Sequence, residues 1–162
     1  PSGKGWLYES REELLTSLDE MVRQEVRHPL RDLPDGRTFG ERASALAAEL
    51  AAQARGLDGT EPSLDGVDRL VRRRGAAESQ RPEQLQRLVA YVGEVIRGIT
   101  GGEWTAELAG DGETWEPCVV EPDGRRHSVF GLVFAELHEW DRSSSIRGVV
   151  AGRLGPRPSR PL

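Results

Sequence analysis

The sequence predicts an α+β domain: N-terminal helices, a central amphipathic helix packed on a small antiparallel sheet of two or three strands, and a C-terminal helical segment. Three observations carry that prediction. Leu85, Leu88, Val89, Val92, Val95, Ile96 and Ile99 recur at the spacing of one helical face. From Trp104 the period changes to two, with Trp104, Ala106 and Leu108 on one side and Thr105 and Glu107 on the other. Phe130, Val133, Phe134 and Leu137 then return to helical spacing.

The chain has 162 residues, enough for one domain with a real core. Residues 1–155 read as that domain and 156–162 as a proline-rich tail, extended or disordered. At the front, Ser10 and Glu13 form a capping box for a helix over about 11–27, striped by Leu14, Leu15, Leu18, Met21, Val22 and Val26. Trp6 is expected to anchor the N-terminus on the body. His28-Pro29 stops the helix, and Leu33-Pro34-Asp35-Gly36 is turn chemistry.

A second capping box, Thr38 and Glu41, opens a helix expected to reach about Arg55, where Gly56 stops it. Ala43, Leu46, Ala47, Leu50 and Ala54 give it an alanine-rich face that allows close approach to a neighbouring helix. The two helices are expected to pair as a hairpin. Ser63 starts a short helix carrying Leu64, Val67, Leu70 and Val71, which runs out in Arg72-Arg73-Arg74-Gly75. That arginine triplet neutralises a helix C-terminus and stays solvated; no aromatic residue or second basic cluster makes it a nucleic-acid patch. Residues 75–81 link to the central helix.

The central helix starts at Pro82, where a missing N–H costs nothing, and ends at Gly101-Gly102. Gly93 in its middle costs roughly 1 kcal/mol relative to alanine and needs a packing reason. The simplest is that Trp104 or a sheet side chain crosses the helix there. Glu94 would then sit beside the crossing, paired with Arg97 or with a backbone or indole N–H. Strands follow from Trp104, over Trp115–Glu121 and at Arg125–His127, joined by the loop around Gly110-Asp111-Gly112 and the turn Pro122-Asp123-Gly124. Pro117 lacks a ladder donor and belongs near a strand start, an edge or a bulge. Ser128 caps a helix to about Asp141, Ser143-Ser144-Ser145 interrupts it, and Ile146, Val149, Val150 and Leu154 form a last short helix.

Charge narrows the function classes. The net charge is −5, and the six acids between Glu103 and Glu121 have no base among them. A nucleic-acid binder needs a basic face, so no nucleic acid is expected as a partner. No apolar run approaches the ~20 residues of a membrane span and no signal peptide is visible, so no membrane association is expected. The single cysteine, Cys118, excludes a disulfide framework and fits a reducing, cytoplasmic location. Its apolar strand neighbours mark it as an inert buried thiol.

Catalytic signatures are lacking. His28, His127 and His138 form no metal-binding pair, and His138-Glu139-x-Asp141 points to different helix faces. There is no Gly-x-Ser-x-Gly and no phosphate loop. No catalytic, cofactor or metal residue is expected, and the chain does not read as an enzyme.

Tyr91-Val92-Gly93-Glu94, then Gly101-Gly102-Glu103-Trp104, a strand pair and Pro122-Asp123-Gly124, preceded by Ser63-Leu64 and Asp68, resemble a broad group of bacterial uncharacterised domains. The similarity spans roughly residues 60–140. It implies an α+β fold and a group without an established function, with no catalytic residue to carry over.

Two readings of function follow. The first is a non-enzymatic protein-interaction domain, immunity-like or accessory, that meets a basic protein partner with an acidic sheet face. Its residues would be Glu103, Glu107, Glu113 and Glu116 with Trp104 and Trp115, the aromatics anchoring and the charges steering. The alternative is a small-ligand-binding domain with a pocket between the central helix and the sheet, lined by Tyr91, Glu94, Trp104 and Trp115. An enzyme would require dispersed residues such as His127 and Glu94 to converge.

Overall fold

A computed structural model describes residues 11–16, 18, 28–31, 33, 34 and 36–157. Residues 11–16 and 18 are helical, while the rest of the first expected helix, Trp6 and Ser10 lie outside the described residues. A 3₁₀ turn at Gly36–Thr38 leads into α1, Phe39–Ala51. A second 3₁₀ turn, Glu61–Ser63, leads into α2, Leu64–Arg74, followed by α3, Ala76–Ser79, and α4, Pro82–Thr100. Then come β1, Glu103–Leu108, β2, Trp115–Val120, and β3, Arg126–Ser128. The helices α5, Val129–His138, and α6, Ile146–Leu154, are the last elements among the described residues. The fold is α+β with a three-stranded antiparallel sheet in the order β1-β2-β3.

The aliphatic stripe makes α4 the centre of the core. Leu85, Leu88, Val89, Val92 and Ile96 are fully buried, each burial contributing about 1.5–3 kcal/mol. Pro82 occupies the first turn and Gly101, at φ 70°, ends the helix in the left-handed conformation. The alanine-rich side of α1 packs along α4, with Ala43 and Leu50 fully buried, and the start of α1 also reaches β1. On the other flank, α2 packs on α6 and α5 on α4.

Several boundaries differ from the sequence reading. Helix α1 stops at Ala51, because the Gln53 N–H turns back to the Leu50 carbonyl in a 3₁₀ step. Thr38 makes no side-chain cap, since the 3₁₀ turn already leads the chain into the helix. The linker after Gly75 contains the short helix α3. Helix α5 ends at His138, not Asp141, because Asp141 accepts from the Ser143 N–H at 2.7 Å and folds the chain into a turn.

Pro117 lies in the middle strand, opposite Ala106 of β1. Strand β3 pairs only with Cys118–Val120, so at Pro117 β2 has a neighbour on one side alone. The missing donor is tolerated there. Part of the expected tail is engaged: Arg157 donates to Glu121 Oε1 at 2.7 Å, while residues 158–162 lie outside the described residues. Among the described residues no helix is long and apolar enough to cross a membrane.

Candidate functional site

The residues of the Tyr-x-Gly-Glu segment serve the architecture. Tyr91, buried in α4, accepts from the Gly59 N–H at 2.9 Å, and its hydroxyl lies 2.6 Å from Ser63 Oγ. Ser63 Oγ donates to the Thr60 carbonyl, so the Tyr91 hydroxyl must donate to Ser63. This directed chain pins the loop before α2 to the central helix. Gly93 lies under Trp104, whose Cη2 would stand 2.0 Å from an added Cβ. Trp104 Nε1 donates to Glu94 Oε1 at 2.6 Å, and Arg97 Nε stands 3.5 Å from the same oxygen. Trp104 thus packs directly on the central helix at this crossing.

Asp68, at 4% exposure, has a comparable role. It accepts from Ser145 Oγ and from the Ile146 N–H, both at 2.7 Å, and so caps α6 from a neighbouring helix. Of the arginine triplet, Arg72 donates to the Ser144 carbonyl and lies over Trp140, and Arg74 donates to Gln84 and Gln53.

Strand register divides the expected binding surface. Glu103, Thr105, Glu107, Glu116 and Cys118 fall on one side of the β1–β2 pair, and Trp104 and Trp115 on the other. The acids are also largely partnered. Glu107 pairs with Arg126 and Glu113 with Arg31, both at 2.8 Å, and Glu116 meets His28 Nε2 at 2.7 Å. Glu103 is exposed and makes no ion pair among the described residues.

Titratable groups outside these pairs also have structural uses. The Thr114 hydroxyl and the backbone N–H groups of Thr114 and Glu113 hold the Asp111 carboxyl down at about 2, closing the β1–β2 loop. Burial, aided by Glu107, pushes the Cys118 thiol up to about 12. The hydrogen bond from His127 lowers Glu121, with Arg157 adding to it. His28 accepts the Leu30 N–H on Nδ1, so its Nε2 carries the proton given to Glu116. His127 and Glu94 do not converge: His127 bonds Glu121, and Glu94 bonds Trp104. Among the described residues no three His, Cys, Asp or Glu side chains gather to hold a metal ion.

A concave site forms at the hairpin end of the sheet, where the Gly36–Thr38 turn and the start of α1 meet β2. Gly36 makes this approach possible, since a Cβ there would stand 1.9 Å from the Trp115 carbonyl oxygen. Gly40, one turn on, rests against Trp104 Cβ in the same way. The resulting cleft of about 320 Å³ has Leu30, Leu33, Pro34, Phe39 and Trp115 in its walls. Arg31, Arg37, Arg42, Glu113 and Thr114 complete its lining. Arg37 lies over the Trp115 ring at 5.5 Å and Arg42 over Phe39 at 5.6 Å. The Arg31–Glu113 pair is exposed at the rim.

Trp115 and Glu113 are thus the expected site residues that this cleft contains; Tyr91, Glu94, Glu103, Trp104, Glu107 and Glu116 are not in its lining. Sequence reasoning missed Phe39 and the arginines. The signal was the run Gly36-Arg37-Thr38-Phe39-Gly40-Glu41-Arg42, whose two glycines let a helix start lie on two tryptophan-bearing strands. Comparison with family models, with curated proteins and with solved structures returns no match.

Proposed function

We propose that this chain is a non-enzymatic small-ligand-binding domain whose site is the cleft between the Gly36–Thr38 turn, the start of α1 and Trp115. One observation carries the reading: an aromatic- and aliphatic-walled concavity of about 320 Å³ with three arginines in its lining. Small-molecule sites are typically clefts of about 300–1,000 Å³ with apolar walls and a few polar groups that fix orientation. This cleft is preferred to a pocket between the central helix and the sheet because Trp104 packs directly on Gly93 and bonds Glu94 there. The basic-partner reading stands second. It rests on Glu103, whose carboxylate is exposed and unpaired among the described residues, while Glu107, Glu113 and Glu116 already hold cationic or histidine partners.

The test is a fragment screen of mixed charge followed by ¹H–¹⁵N correlation spectra. Bound fragments are expected to shift the Trp115 indole and the amides of Phe39 and Thr114 together. If saturating fragments leave those resonances in place, and a basic protein partner instead perturbs Glu103 and Glu107, the second reading replaces the first.

A further inference from the structure

We infer that the cleft is built for a carboxylate on a compact apolar body, with Arg42 as its anchor. The inference rests on the binding reading above and names the ligand class. Among the described residues Arg42 makes no hydrogen bond or ion pair, and its Nε is enclosed without an acceptor, which leaves the two terminal nitrogens as its accessible donors. Arg31, Arg87, Arg126 and Arg147, in contrast, each meet a carboxylate. The terminal N–H donors, which stay accessible and unpartnered, are the ones an incoming acceptor can meet.

The guanidinium presents parallel N–H donors in a plane, a geometry that matches the two oxygens of a carboxylate. Phe39 stacks against Arg42 and holds it in place. The positive end of α1, which begins at Phe39, adds favourable potential for an anion at that wall. Two further features select among anions. Leu30, Leu33 and Trp115 offer apolar surface that an inorganic ion leaves unused. Glu113 at the rim disfavours a second negative charge, so a monoanion suits the site better than a phosphate dianion. The cavity lies at the lower end of the small-molecule range, which limits the body to about one ring or branched chain.

Titration calorimetry on the intact chain separates these points with four probes: phenylacetate, its neutral amide phenylacetamide, N-acetylphenylalanine and inorganic phosphate. Phenylacetate is expected to bind at least about tenfold more tightly than phenylacetamide, a difference typical of a charge-assisted pair. Arg42→Met, which keeps an unbranched stem but removes the guanidinium, should remove that preference while phenylacetamide binding is unchanged. N-acetylphenylalanine binding more tightly than phenylacetate identifies a peptide C-terminus as the source of the carboxylate; the reverse order identifies a free acid. Equal binding of acid and amide to the unmodified chain overturns the inference without any variant, and so does tighter binding of phosphate. If the fragment screen finds only neutral or cationic occupants, the ligand-binding reading survives and the carboxylate assignment fails. If nothing occupies the cleft, both fail.

Discussion

The indole N–H of Trp104 donates to Glu94 at 2.6 Å while its ring edge rests on Gly93. A strand residue thus reads two consecutive positions of the central helix, one by hydrogen bond and one by contact. Alanine at 93 would gain roughly 1 kcal/mol of helix propensity. Overpacking against the ring costs about 1–3 kcal/mol, and the ring cannot retreat easily because Phe39 and Gly40 lie against it. Gly93→Ala is therefore expected to be destabilising in urea titration. In a Trp104→Leu background the same substitution should become stabilising. A stabilised single variant would show that the ring moves aside.

The Gly59–Tyr91–Ser63–Thr60 relay predicts coupling between α4 and the loop before α2. Tyr91→Phe leaves the Gly59 N–H without its acceptor and should cost about 1–2 kcal/mol. Ser63→Ala should cost a similar amount, and the double variant less than the sum, because both remove the same link. Additive losses in chemical denaturation would mean that the two hydroxyls act independently.

The fold was legible where one short-range pattern settles an element. The stripe of α4, its Pro82 start and Gly101 stop, and the period of two after Trp104 needed no tertiary information. Gly93 was legible too, since a glycine inside a strong helix demands a crossing partner. Helix ends set by hydrogen bonds to turns, such as Ala51 and His138, were not, because capping chemistry alone does not rank competing turns. The surroundings of the acidic run were not legible, for a geometric reason. Alternation along β1 and β2 places the tryptophans opposite the glutamates, and the arginine or histidine partners of the acids come from distant positions such as Arg31, Arg126 and His28. The cleft itself depends on Gly36 approaching Trp115, a contact across about eighty residues that no local spacing encodes.

Asp111 supplies a pH-dependent test of the hairpin loop. Its folded-state carboxyl is held near about 2, below the ordinary 3.8, chiefly by the Thr114 hydroxyl. A depressed value means that its contribution is complete above its ordinary value and lost as pH falls through about 2. The stability gap between the unmodified chain and Asp111→Asn should stay constant from neutral pH down to about 5 and close between about 4 and 2. A gap unchanged at low pH would show that the carboxylate form is not what closes the loop.

Cys118 offers the last test, because burial and reactivity make opposite demands on a thiol. The side chain is fully buried in β2, its Sγ lies 3.7 Å from the Glu116 carbonyl oxygen, and its ionisation is pushed up to about 12, first by burial and then by Glu107. Only a thiolate attacks a disulfide reagent, and at pH 8 roughly one molecule in ten thousand would carry it even with access to solvent. The native chain is therefore expected to react with Ellman's reagent only through opening of the sheet, at a rate that rises steeply with urea and levels off with reagent concentration. Glu107→Gln removes the second cause and leaves the first, so it should accelerate the reaction little, whereas Val119→Ala, which loosens the strand's packing, should accelerate it strongly. A fast stoichiometric reaction in the absence of denaturant would place Cys118 at an accessible surface and return it to consideration as a nucleophile.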